Sequence, residues 1–304
     1  MDLAIKIGML VVFFGIMIGV GFYCRKHSTD VDGFVLGGRS VGPWLTAFAF
    51  GTSYFSAVVF VGYAGQFGWK YGIAATWAGI GNALIGSLLA WRILGRRTRI
   101  MTQHLDTATM PEFFGKRFGN ENLKIAASII TFIFMIPYTA SLYNGLSRLF
   151  GMAFNIDYSI CVVVMAVLTG IYVIVGGYMA TAINDFIQGI IMLVGIIAVI
   201  AAVLIKNGGF NAACEALNLS AQAGPEFTSF FGPNPIFLFF VVMLTSLGTW
   251  GLPQMVGKFY AISNEAAIRK GTLISTIFAI IDSRCFGITF LIKTSPPVIA
   301  AASI

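Results

Sequence analysis

Seven apolar runs, each close to the length of a membrane-spanning helix, constrain this chain more than any other feature. They lie at about 4–23, 44–66, 72–94, 125–147, 157–177, 186–205 and 235–256. A spanning helix needs roughly 20 mostly apolar residues, and runs this long and numerous exceed what a soluble core requires. The sequence predicts an all-α integral membrane protein, and with 58% hydrophobic and only 10% charged residues the composition agrees. The mean hydropathy is +0.87. An eighth apolar stretch begins near Gly271 and is interrupted by Asp282 and Arg284, so a bundle of about eight helices is expected. The first run lacks the basic start and short core of a cleavable signal, and reads as a retained anchor helix.

The formal charge of +7 is arranged for topology rather than for an acidic partner. Arg25, Lys26 and Arg39 follow the first span. Arg96, Arg97, Arg99, Lys116, Arg117 and Lys124 lie between the third and fourth, and Lys258, Arg269 and Lys270 follow the seventh. The opposite loops hold only Lys70, Arg148 and Lys206. By the positive-inside rule the first set is cytoplasmic, which places the N-terminus outside a multi-pass protein of the plasma membrane. No nucleic-acid surface is implied, because the basic residues do not cluster on a soluble domain. The expected partners are the lipid bilayer and what crosses it; the sequence assigns no oligomeric state.

Several chemistries lack residues to carry them. Cys24, Cys161, Cys214 and Cys285 form no CxxC pair, and His27 and His104 have no second ligand at helical spacing. Gly176-Gly177 lacks the Lys-Ser/Thr of a phosphate loop. No His, Cys or acidic constellation occurs within the spans, so no enzyme activity is expected. None of the twelve acidic residues lies inside the seven runs; the nearest is Asp185, at the start of the sixth. A proton relay uses titratable groups at membrane depth, and proton coupling is therefore disfavoured.

Between spans, Thr109-Met110-Pro111-Glu112 reads as the N-terminus of a short surface helix. The outer segment 206–234 reads as a cap with a short helix from Ala212 to Leu219. Glycine supplies 35 of 304 residues, above the average share of about 7%. Gly15-x-x-x-Gly19 and Gly68-x-x-x-Gly72 have the spacing of close helix packing.

Two spans break their apolar pattern. In the second, Gly51-Thr52-Ser53-Tyr54-Phe55-Ser56 turns small and hydroxylated; in the seventh, Thr245-Ser246-Leu247-Gly248-Thr249-Trp250-Gly251-Leu252-Pro253-Gln254 does so. Pro253 removes a backbone donor and crowds the carbonyl near Thr249. Either span alone also fits an ordinary packing kink with Ser and Thr bonded to their own backbone. The pair matches the broken helices that mark the binding site of a secondary transporter. Freed carbonyls and hydroxyls there make a hard oxygen cage of the type that suits sodium.

Phe34-Val35-Leu36-Gly37-Gly38-Arg39-Ser40, the break at Gly51–Ser56, Gly176-Gly177-Tyr178-Met179-Ala180, Asn184-Asp185-Phe186-Ile187-Gln188-Gly189 and Gly251-Leu252-Pro253-Gln254 together resemble the sodium:solute symporters. The resemblance runs from about 30 to 281 and is strongest to the proline and pantothenate branch. It implies the leucine-transporter fold in one membrane domain, residues 1–281. An extra helix at 4–23 would precede a first repeat at 44–205, a second would begin at 235–281, and 282–304 would form an atypical tail. It also implies Na+ as coupling ion, no organic cofactor and a small organic solute. Sodium would meet the carbonyls of Thr52 and Phe55, with Asp185 near its exit. Asp185 beside Asn184 equally fits a helix N-cap.

Solute contacts carried over from the family fall on Ser56, Tyr138, Thr249 and Trp250, with Tyr54 and Pro253 at the two breaks. Tyr138 follows Pro137 and also fits a plain aromatic at a kink, and Trp250 also fits core packing. Proline-type relatives carry an Asp where this chain has Tyr54, which leaves proline, pantothenate or a related carboxylate open. A half-helix N-terminus offers such an anion a positive dipole end. The family fold has ten core spans, whereas this chain supplies at most seven, and the helix with the Ser and Thr of the sodium cage is not among them. A truncated chain, with a change of reading frame near residue 281, is one expectation; a genuine short tail is the other. The functional alternatives are an inactive symporter fragment, or a channel or structural membrane subunit.

Overall fold

A computed structural model describes residues 3–27, 29–56, 65–218 and 225–288. It is helical, and the lone extended pairing among the described residues is a parallel bridge between Val41 and Ile262. The helices are α1 (Leu3–Cys24), α2 (Val31–Leu36), α3 (Pro43–Tyr54), α4 (Gly65–Tyr71), α5 (Thr76–Gly81), α6 (Arg96–His104) and α7 (Met110–Phe118). Then come α8 (Glu121–Phe154), α9 (Tyr158–Lys206), α10 (Phe210–Asn218), α11 (Pro235–Leu247), α12 (Pro253–Ala261) and α13 (Glu265–Ile288). Between α5 and α6 the chain stays helical through wider π turns at Asn82–Leu89 and Trp91–Gly95.

By length and composition, Ile7–Cys24, Gly65–His104, Glu121–Gly151 and Tyr158–Lys206 can each cross a membrane, and the bent pair α11 and α12 makes a fifth crossing. The 49 residues of α9, at 1.5 Å each, reach about 74 Å, more than twice a bilayer's hydrocarbon core. Two spans therefore share this helix, divided at Gly177, where φ 59° and ψ −154° require glycine. With α3 and α13 the bundle of about eight is met. The third span is longer than its apolar run, continuing to His104. The fifth and sixth are also closer than expected, since helix resumes directly after Gly177 instead of leaving a connection at 178–185.

The short elements follow their caps. Thr109 accepts from the Glu112 amide at the start of α7, and α10 forms within the outer segment. The glycine spacings are a different matter. Cβ atoms at Gly15 and Gly19 would meet nothing within 4 Å, whereas one at Gly21 would lie 3.1 Å from Tyr172. Gly21 on α1 and Gly176 on α9, where a Cβ would lie 2.8 Å from Gly21 O, together let the two helices approach. At Gly72 the constraint is a positive φ and a close carbonyl of Phe227 rather than a helix pair.

The core lies where α3 packs among α9, α12 and α13, with α13 also against α5. Phe48, Phe50, Trp91, Phe259 and Phe278 form its aromatic centre. Phe132, Phe134, Ile174, Ile236 and Phe240 are exposed, as expected of helix faces turned to lipid rather than water. At one end a strap ties the bundle. The amide of Val41 donates to Ala261 O at 3.2 Å, and the amide of Ser263 donates to Val41 O at 3.0 Å. Arg99 clamps this crossing, its guanidinium donating to Ile262 O at 2.6 Å and Ser263 O at 3.1 Å.

α13 runs through position 281 without a break, so the change in composition there does not end the helix. Asp282 is fully buried on it, and among the described residues neither carboxylate oxygen has a hydrogen-bond partner. Lys293, Pro296 and Pro297 of the expected tail lie outside the described residues.

Candidate functional site

Both expected breaks are present. α3 stops at Tyr54, and Phe55 leaves helical geometry with φ −89° and ψ 55° while its amide still reaches Gly51 O at 2.8 Å. A helix end frees its last carbonyls, which here belong to Thr52, Ser53 and Tyr54. The Thr52 hydroxyl is used locally, donating to Phe48 O at 2.9 Å. Thr52 and Phe55, the expected sodium residues, thus sit at a helix end; 57–64, the continuation of that span, lie outside the described residues.

The second break is complete. α11 ends at Leu247, a 3-10 turn covers Gly248–Gly251, and Pro253 opens α12 at a bend of 50°. Proline suits a first helical position, where no amide is needed. Thr249 donates to Ser246 O at 3.0 Å, and the Trp250 indole donates to Ile85 O at 3.1 Å, in the π-helical stretch of the third span.

A cavity of about 250 Å³ opens between the breaks. Of the six expected solute residues it brings together Tyr54, Ser56, Tyr138 and Thr249. Trp250 and Pro253 are off its wall; Trp250 ties the second break to the third span, and Pro253 shapes the bend. Thr245, from the expected second break, also lines it, as do Asn82 and Ser141, neither of which was singled out in the sequence. Asn82 had a signal: an amide beside Gly81 within an apolar span, where a polar side chain is expensive. No charged side chain is on the wall among the described residues.

Tyr54 is 5% exposed, and its hydroxyl lies 3.0 Å from Thr245 O and 3.1 Å from Asn82 Oδ1. Thr245 is in the last turn of α11, so its carbonyl is among those a helix end leaves open. A side chain from the first break therefore caps the second.

Asp185 departs from its N-cap reading. It lies well inside α9, and its Oδ2 is 3.3 Å from Lys258 Nζ on α12. Asn184 donates to Met17 O at 3.4 Å instead of capping a helix. Lys258, expected in a basic loop, is 8% exposed and sits over the Tyr178 ring at 5.4 Å. The pair joins α9 to α12 and does not line the cavity. The pairing offsets the cost of holding both charges partly buried in the bundle.

Comparison with known proteins agrees with this fold. A solved structure of a substrate-bound, outward-open Na+-coupled sialic acid symporter superposes with a TM-score of 0.81. It is 18% identical and covers 99% of this chain and 63% of its own, a likeness of fold. Sodium/proline symporters of Staphylococcus aureus strains JH9 and JH1 are each 32% identical over 271 residues, 86% of this chain and 51% of theirs. The chain spans about half the length of these curated relatives. The model of the sodium:solute symporter family matches residues 34–296. The chain thus belongs to the sodium:solute symporter family, a family of transporters and not of enzymes.

Proposed function

We propose that this chain forms the binding core of a sodium-coupled symporter that imports one small organic solute by alternating access, with proline as leading candidate and pantothenate or a related carboxylate as alternatives. The observation that carries this reading is the hydroxyl-lined cavity between two broken helices, free of charged side chains among the described residues. Drug-sized ligands occupy about 300–1,000 Å³, so 250 Å³ suits a smaller molecule. A carboxylate or zwitterion in it would have its charge met by a bound cation and helix ends. Na+ at the carbonyls of Thr52 and Phe55 fits that need, and the names of the curated relatives, sodium/proline symporters, favour proline. The charge bias of the loops supports an N-terminus outside the plasma membrane.

Proteoliposomes containing the full chain should accumulate labelled proline only under an inward sodium gradient, with potassium unable to replace sodium. Parallel assays with pantothenate separate the candidates, and uptake indifferent to sodium would overturn the reading.

A further inference from the structure

Asn82 stands where three spans meet, yet no part of the reading above uses it. The residue is 2% exposed and on the cavity wall. Its Oδ1 lies 3.1 Å from the Tyr54 hydroxyl and 3.1 Å from Ser246 Oγ. An amide oxygen has two lone pairs, and here one faces each broken helix: Tyr54 ends α3, and Ser246 lies in the last turn of α11. The Tyr54 hydroxyl has one proton and two acceptors, Asn82 Oδ1 and Thr245 O, so it too is shared across the gap.

The backbone around Asn82 is shaped for this crossing. A Cβ at Gly86 would collide with the Tyr54 hydroxyl, and one at Gly81 would collide with Val242 and come within 2.9 Å of Ser246 Oγ. The two glycines are five residues apart at a stretch of π helix, whose bonds run from i to i+5. One admits the first broken helix and the other admits the second, with the Asn82 amide between them. π turns of this kind recur at functional sites.

We propose that Asn82 is a positioning residue for transport, resting on the symporter reading above. It holds the Tyr54 hydroxyl and the Ser246 turn in one hydrogen-bonded unit, so a solute that engages Tyr54 in the cavity alters the second broken helix through this amide. Asn82 acts through Tyr54 and Ser246 rather than by carrying charge to the solute.

The test is a double-substitution cycle on the full chain purified in detergent, with labelled proline as probe at saturating sodium. Asn82→Ala and Tyr54→Phe should each weaken proline binding about tenfold, the scale of one hydrogen bond. The double substitution should weaken it little further, because both remove the same link. Multiplying losses, near a hundredfold together, would overturn the proposal. Thermal unfolding of the same four proteins without solute gives a second cycle, with Ser246→Ala added. Non-additive shifts in midpoint support the unit, and additive shifts overturn it. Should the unsubstituted chain bind neither proline nor sodium, the symporter reading fails, while the solute-free cycle still decides whether Asn82 joins the two helices.

Discussion

Gly86 shows how little room surrounds the Tyr54 hydroxyl, since any Cβ there would occupy its place. Gly86→Ala should push Tyr54 from both acceptors and cost about 1–3 kcal/mol, the range for overpacking. A fall in the thermal midpoint of the detergent-purified protein, absent when Ala replaces the unconstrained Gly15, checks this. At this scale the sequence was legible where polarity changed abruptly. Tyr54, Ser56 and Thr249 stood out because hydroxyls interrupted apolar runs, and all three line the cavity. Asn82 was passed over because a single amide hardly alters the hydropathy of its span. Its importance arises from α3 and α11 converging on it, a contact between residues 28 and 164 positions apart in the chain.

Among the elements, α7 was the most readable, because its signal is local. Thr109 caps it, and Glu112 reaches back to accept from the Ala108 amide at 2.9 Å while pairing with Lys116 at 3.2 Å. Partial burial favours the neutral acid, but the Ala108 amide, the Lys116 ammonium and the charge of Lys124 outweigh it and hold the Glu112 carboxyl below the usual carboxylate range. A carboxyl lowered on folding contributes stability above its ordinary pKa of about 4.3 and loses it as pH falls through the lower folded value. Glu112→Gln should therefore reduce protection of the α7 amides against hydrogen exchange at pH 7. The gap from the unsubstituted chain should close as pH falls below the ordinary carboxylate range, and a gap unchanged with pH would contradict this. By contrast, the return to helix directly after Gly177 in α9 was not legible. Its polar middle lowers hydropathy at 178–185, while the packing of α9 against α1 and α3 and its ion pair to α12 join residues far apart in the chain.

Across the whole molecule, Asp185 and Lys258 join two helices 73 residues apart in sequence. Removing one partner of a poorly solvated ion pair leaves the other uncompensated. Lys258 keeps only 10% of its side chain exposed, so Asp185→Asn should destabilise the protein by about 3 kcal/mol. Asp185→Asn combined with Lys258→Met should recover most of that loss, as seen by thermal unfolding in detergent; a double variant no more stable than Asp185→Asn would refute the account. The overall class, the number of spans and both breaks could be read from the order of apolar and small residues. Which ends of these spans touch could not, because such contacts bring together residues far apart in the chain.

The strap at Val41 and Ile262 bears on how such a bundle can move. Val41 leads into the first broken helix and Ile262 leaves the second, and Arg99 pins the Ile262–Ser263 side from the third span. The two helices therefore share one anchorage. Among the described residues, each helix has a joint beside the cavity, at Phe55 and at Gly248–Gly251. A solute seated there would press on both joints at once, against an anchorage that the two helices hold in common.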